Sequence, residues 1–440
     1  MATRTSGQQQ SQPKVLIVGA GLGGVMLGIL LEKADIPYTI VERSTTVKPL
    51  GSAMAIGGTL LGLFAQLGIF DEFISLAKWF TQSSILNEAG ETIVSTNYLP
   101  VQELTGYQGY IVARPRLYSL LIKQIPSHKI HFGKRILTVT EDKDDDKVHI
   151  QAADGTTYQG DILVGADGAY SAIRKRIYEK LKTEGTLPKA DQEDLPFSCT
   201  CLVGQTDVLD VEEFPELKDD KAAQEQRFRN SDNSEWGPFA AQSMCDETRG
   251  FPISIGTGKM TLGDLYERTP KELISKVMLE EKIFRTWHSG RTVLLGDACH
   301  KVHPAGGQGA VTAMHDAVAL ANLIYALPST KLSDIQQAFT EYQAERLPLV
   351  TEAFNGSRAL AKGMEKGLGG VIALWITRHI PQWLWKIFWT KRVKCRPQVA
   401  FLKEVESKGT SPPMVSFSHE KARAVYEKRQ GDAAAASAII

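Results

Sequence analysis

Three stretches of this chain carry residue types and spacings on which chemistry can be built. The first is Gly19-Ala-Gly21-Leu-Gly-Gly24, with Glu42 eighteen residues past Gly24 and Arg43 beside it. Gly19 allows a sharp turn, Gly21 leaves bare backbone for a pyrophosphate, and Gly24 lets a helix pack close to a strand. The free N–H groups and positive dipole end of that helix would face phosphate oxygens. Glu42 sits where a carboxylate accepts hydrogen bonds from a ribose diol. The second stretch is Asp167-Gly168, with Ser171 and Arg174 behind it. The third is Gly296-Asp297, followed by His300, His303, Pro304 and the run Gly306-Gly307-Gln308-Gly309-Ala310.

The elements that position these residues follow from hydrophobic patterning. A buried strand over Val15–Val18, a helix to about Lys33 and a second strand over Tyr38–Val41 make a β-α-β dinucleotide cradle. Strands over 161–166 and 291–296 deliver Asp167 and Asp297, and the third stretch opens a long apolar helix to about Leu327 carrying Asp316. Elsewhere the pattern predicts helix from about Thr59, a hairpin over 84–95 turning at Asn87–Gly90, and strand-then-helix over 107–125. An antiparallel meander is expected over 131–165, with its tips at the acidic run 142–146 and at Asp154-Gly155. A strand is expected over 196–204 and a weaker one over 251–256. Residues 207–240 are mostly charged or polar, with no apolar alternation long enough for a strand. Amphipathic helices fill 333–366, an aromatic, apolar segment spans 368–389, and the last forty residues read as polar, ending in an Ala-rich tail.

At 440 residues the chain is long enough for two domains or one with a large elaboration. Fifty basic and fifty acidic residues balance, which gives no electrostatic footprint for nucleic acid and no gross electrostatic attraction to membrane lipids. The five cysteines are scattered and read as free thiols of a reducing compartment. No His/Cys/Asp/Glu group has metal-ligand spacing, so no metal is expected. The polar N-terminal dozen residues lack the apolar stretch of a signal peptide, and a cytoplasmic protein with a disordered tail over 1–12 is the expectation.

In order and spacing, Gly19-x-Gly21-x-x-Gly24 with Glu42, the Arg-x-x-Leu of Arg114 to Leu117, Asp167-Gly168 and Gly296-Asp297 resemble the motif set of the class A, single-component FAD-dependent monooxygenases. That family includes kynurenine- and salicylate-hydroxylase types and fungal FAD epoxidases, and the resemblance covers about two-thirds of the chain. It implies an α/β fold: a Rossmann-type FAD-binding domain (13–82, 107–180 and 280–345), an antiparallel-sheet substrate domain (83–106 and 181–279), C-terminal helices (346–402) and a polar tail (403–440).

The resemblance also implies roles. Glu42 holds the adenosine ribose, Arg114 lies beside the pyrophosphate, and Asp297 bonds the ribityl chain. The alternative for Arg114 is a surface arginine opening a helix. Pro304, Gly306, Gly307, Gly309 and Ala310 form the loop beside the isoalloxazine and are the best catalytic candidates. Asp167 either serves FAD and the pyridine nucleotide together or simply caps the next helix. His300 reads as packing or loop capping, and His303 is left open. The implied reaction uses NAD(P)H and O2, through a flavin C4a-hydroperoxide, to hydroxylate or epoxidise a small aromatic or unsaturated substrate.

Two alternatives remain: an oxidase or dehydrogenase on the same fold, and a flavin-binding homologue without hydroxylase activity because 207–240 interrupts the substrate domain. The segment 368–389 reads either as a helical cap on the substrate domain or as a peripheral membrane contact. In the second case its tryptophans lie at the interface and Arg378, Lys386, Lys391 and Arg392 face headgroups.

Overall fold

The computed structural model describes residues 12–46, 53–86, 92–142, 145–215, 228–229, 238–253, 255–256, 260–363 and 379–437. At its centre is a six-stranded sheet of β1 (Val15–Val18), β2 (Tyr38–Val41), β3 (Ile130–His131), β4 (Ile162–Gly165), β5 (His288–Ser289) and β6 (Thr292–Leu294). The order is β5-β6-β4-β1-β2-β3, parallel throughout except where β5 returns antiparallel to β6. Every residue of β1, β4 and β6 is buried, as a parallel sheet covered on both faces requires. Their carboxyl ends deliver Gly19, Ala166-Asp167 and Leu295-Gly296 side by side, where ligands bind in open α/β sheets.

Eight helices matter for the site: α1 (Leu22–Lys33), α2 (Leu99–Thr105), α3 (Arg114–Ile122), α4 (Ala172–Thr183), α5 (Gly309–Tyr325), α6 (Leu332–Gly363), α7 (Gln382–Arg392) and α8 (Phe417–Ser437). Both α1 and α5 are apolar and buried along most of their length, and they pack on each other over the sheet. The meander expected over 131–165 is a three-stranded sheet of Ile136–Asp142, Lys147–Ala152 and Thr157–Gly160. Its second turn passes through Gly155 at φ +83°, and 143–144 of its acidic tip lie outside the described residues.

Several expectations need correction. The substrate-side sheet pairs Phe197–Val203 with Ser275–Glu280, a strand whose mixed Lys, Met and Glu content hides its alternation. It also takes a two-residue strand, Phe228–Arg229, from the stretch judged to hold none. The described residues of 251–256 form no strand: only an isolated bridge, Pro252 to Thr261, is made, since proline lacks the N–H a ladder needs. The hairpin arms Gln82–Leu86 and Thr92–Asn97 pair in a separate two-stranded sheet, with the expected tip at 87–90 outside the described residues. The single helix α6 replaces the several helices expected and runs through Pro348. The polar tail is corrected most plainly. Its α8 packs along α5, burying Ser418 and Ala422 and leaning Val425 and Tyr426 on the main core. Residues 1–11 and 364–378 are outside the described set. Cys201, Cys245, Cys299 and Cys395 are free thiols.

One buried ionic network ties the helical layer to the sheet. Asp316, fully buried on α5, accepts from Arg346 Nε of α6 at 2.8 Å, from His300 Nε2 at 2.6 Å and from the Gly296 N–H at 3.2 Å. Burial alone would raise the Asp316 carboxyl, but the His300 and Arg346 charges outweigh it and hold the group at about 2. Removing one partner of such a pair strands the other charge in the core. Asp316→Asn is therefore expected to cost about 3–5 kcal/mol in denaturant unfolding, and a loss under about 1 kcal/mol would show the network to be dispensable. Because the folded value lies below the unfolded one of 3.8, this carboxylate's stabilisation is complete above pH 3.8 and drains as pH falls toward 2. Thermal melts of the Asn variant should be the flatter of the two across that window.

Candidate functional site

The turn after β1 shows why its glycines stand where they do. Gly19 sits at φ +108°, and a β-carbon there would lie 2.3 Å from the Ala166 carbonyl oxygen; at Gly24 it would lie 2.1 Å from the carbonyl oxygen of Gly19. Gly21 differs, because a β-carbon on it would meet nothing within 4 Å. It is the N-cap of α1 and supplies no side-chain cap, so the first-turn N–H groups of α1 remain available to an anion.

Beside this turn lies a cavity of about 500 Å³, lined among others by Gly19, Gly21, Glu42, Arg43, Asp167 and Gly168. Glu42 accepts from the Ala20 N–H at 2.9 Å and the Ser44 N–H at 2.8 Å, which fixes its carboxylate at the cavity wall. Two lone-pair positions remain for a diol. Arg43 and Lys175 stand exposed at the rim. On α3, Tyr118 carries a buried hydroxyl with no partner. Burial, and then the negative charge of Glu42, push this phenol up to about 12. The open face of Gly21 and the uncapped helix together fit the adenosine diphosphate half of FAD; Tyr118, like Arg114, is not among the residues lining the cavity. Tyr118 escaped the sequence reading. Its only signal is a position one helical turn after Arg114, itself exposed in the first turn of α3 and not among the residues lining the cavity.

Asp167 makes the bonds of the capping role and also lines the cavity. Its carboxylate accepts from the Ala172 and Ile173 N–H groups at 2.7 and 3.2 Å and from Ser171 Oγ at 2.5 Å, so it caps α4. Ser171 adds its own N-cap bond from the Arg174 N–H. Burial pushes the Asp167 carboxyl up, opposed by these hydrogen bonds. Arg174 is buried and lies over the Phe284 ring, 4.1 Å from its centroid. Its guanidinium donates to the Ala298 carbonyl at 2.8 Å and the Ala169 carbonyl at 2.6 Å, joining the Asp167-Gly168 loop to the Gly296-Asp297 loop.

A second cluster holds the remaining candidates. Gly296-Asp297-Ala298 is one turn of 3-10 helix following β6, with the Asp297 side chain half-buried. Pro304–Gly306 forms another such turn, His303 Nδ1 accepts from the Ala305 N–H at 3.2 Å, and Gly307 turns at φ +60° into α5. His303 is thus a loop cap, and burial pushes its imidazole down. His300, through Asp316, serves the fold, as the packing reading expected. Gly306 abuts α6, where a β-carbon would meet Ser357 Oγ at 2.1 Å. The N-cap of α5, Gln308, makes no side-chain cap bond, so the N–H groups around Gly309 and Ala310 are free of one. Cys299 lies with His300 and Asp316 in ligand-like proximity, but Arg346 already occupies the Asp316 carboxylate.

The substrate-side sheet reaches these loops at Glu280. Tyr170 Oη donates to its carboxylate, and Lys301 Nζ lies 3.3 Å from Glu280 Oε2. Tyr170 follows Asp167-Gly168, and Lys301 follows His300.

The FAD binding domain family matches residues 12–203 and 264–357, the segments that build both clusters. The chain belongs to the FAD-binding flavoprotein monooxygenases. Its relatives include the FAD-dependent monooxygenase cle3 of Aspergillus versicolor, 26% identical over 79% of this chain and 76% of that protein. The FAD-dependent urate hydroxylase of Mycolicibacterium vanbaalenii is 29% identical over 76% of this chain and 84% of its own. In fold the chain is similar to Klebsiella pneumoniae HpxO complexed with FAD and uric acid, with a TM-score of 0.67, 20% identity and coverage of 86% of this chain and 96% of that one.

In this flavoprotein the two glycines of the first turn make separable predictions. Gly21→Val should fold normally, since its side chain enters open space, yet weaken FAD binding about 100-fold by filling the pyrophosphate's place. Gly24→Ala should instead lower the melting temperature of the apoprotein. Fluorescence titration with FAD beside apoprotein melts reads both, and a Gly21→Val protein that binds FAD normally would remove the pyrophosphate from this turn.

Proposed function

We propose that this flavoprotein uses NAD(P)H and O2 to hydroxylate or epoxidise a small aromatic or unsaturated substrate. The observation that carries the reading is the loop from Pro304 to Ala310, set at the amino end of α5 and held from behind by α6. Bound there, FAD supplies hydride acceptance and oxygen activation. The chain supplies the surroundings. Backbone N–H groups around Gly309 and Ala310 favour negative charge on the N1–C2=O edge of the ring. In this reading Asp297 would hold the ribityl chain and Glu42 the adenosine ribose. NAD(P)H needs no second glycine-rich cradle because its nicotinamide visits only transiently. The contacts of Glu280 to Tyr170 and Lys301 hold the substrate-side sheet against the flavin loops, which limits water at the reacting ring.

The names of the relatives support oxygen insertion, and that of the urate hydroxylase supports an electron-rich ring as substrate. A second reading, a flavin-binding homologue without hydroxylase activity, draws on the third strand of the substrate-side sheet, which among the described residues is only Phe228–Arg229. The experiment reduces the FAD-loaded protein anaerobically with NADPH or NADH across a panel of phenols, purines and alkenes, then admits labelled O2. Faster bleaching with one compound and a single labelled oxygen in its product are expected. Reduction that yields only hydrogen peroxide with every compound would overturn the monooxygenase reading in favour of the second.

A further inference from the structure

We infer that α7 seats this protein on an anionic lipid surface. The helix is apolar on two opposite faces. One is used: Trp385 and Trp389 stack on each other, and Trp389 packs on Tyr98 at a centroid distance of 5.3 Å. With Val393 they form a small core against Leu104 and Val101 of α2. Nothing among the described residues covers the opposite face. Trp383 is 62% exposed and Ile387 59%, with Leu384 at 40% and Phe388 at 45%, as two i, i+4 pairs side by side. The Met414 N–H donates to the Lys394 carbonyl just past the helix, and Met414, Val415 and Phe417 are themselves exposed. Contiguous apolar surface of this kind, four large side chains side by side on one short helix, marks an interaction site.

Charge selects the occupant. Among the described residues 379–403 there are six lysines and arginines and no acid, in a chain whose net charge is zero. Lys386 meets Glu103 at 3.3 Å and Lys391 meets Glu352 at 3.6 Å, but all four side chains are largely exposed, and such pairs release readily. Lys394 is exposed and has no ion-pair partner among the described residues. Arg392 folds back over the Phe388 ring. An exposed tryptophan-bearing face rimmed by lysines fits the headgroup boundary of an anionic bilayer, where indole rings settle and cations meet lipid phosphates. No helix among the described residues is long and apolar enough to cross a membrane, so the contact made by α7 is peripheral.

The test floats the FAD-loaded full chain with phosphatidylcholine vesicles, with and without one-fifth phosphatidylserine. Co-flotation with the anionic vesicles is expected, weakened at least about tenfold by the double variant Trp383→Glu, Ile387→Glu and by 1 M salt. Both substituted residues are exposed, so FAD content and melting temperature should stay unchanged, and Leu332→Glu, an exposed apolar control on α6, should bind as the unaltered chain does. Absence of binding to anionic vesicles overturns the inference. So does self-association in sedimentation that the double variant abolishes, which would make a second copy the occupant. Hydrogen-exchange protection of 382–388 in the absence of lipid, pointing to cover by 364–378 of the same chain, overturns it as well.

Discussion

The rest of this structure depends on one buried carboxylate. Asp316 has no solvent to satisfy it, so its two oxygens must be met by protein, and they are met from three directions: α6 through Arg346, the loop after β6 through His300, and the Gly296 backbone. A charge in such a place is tolerated only with these partners in good geometry. That requirement fixes the Gly296-Asp297 turn relative to the helical layer. Arg346 and Ser357 are eleven residues apart on α6, close to three full turns of about 3.6 residues each, and so share a face. The same helix that neutralises Asp316 thus also backs Gly306 in the loop that opens α5. The position of that loop is set from the core outward.

Arg174 performs the corresponding service between the two loops that flank the cofactor. Buried over Phe284, its guanidinium is satisfied by two backbone carbonyls, Ala169 and Ala298. A lysine could not make both contacts from one planar group. The two loops therefore move as one. Through Tyr170 and Lys301 they share the single carboxylate of Glu280 with the substrate-side sheet. Displacement of that sheet would be felt at the turns that carry Asp167 and Asp297.

Legibility in the sequence followed the range of the forces. The glycines around Gly21, the strands before them and the order of the Asp-Gly and Gly-Asp turns are local statements of backbone geometry, and the structure carries each. Asp316 to Arg346 spans thirty residues and Arg174 to Ala298 more than a hundred, with nothing in their neighbours to announce a partner. Tyr118 has the pattern of any helical aromatic, and only the fold shows its hydroxyl buried and unpaired beside Glu42. Ser275–Glu280 alternates too weakly to be read as a strand, yet pairing with Phe197–Val203 stabilises it. The end of the chain reads as a polar tail because α8 meets the core through small residues, Ser418 and Ala422, which add little to a hydrophobic pattern.

Of the aromatic segment 368–389, residues 368–378 lie outside the described residues, and over 379–389 the features expected of its two readings occur together. Trp385 and Trp389 bind α2, as a cap would, while Trp383 and Ile387 face away, as a surface contact would. A helix apolar all round is ordinarily buried all round. Here eleven residues cover only about 17 Å at 1.5 Å each, far short of the ~30 Å hydrocarbon core a spanning helix must cross. With one face already fixed to the protein, the other can reach only what lies at its surface. The two-sided pattern that made the segment ambiguous in sequence is itself the geometry of an adaptor, anchored inward by Trp385 and Trp389 and presenting Trp383 and Ile387 outward.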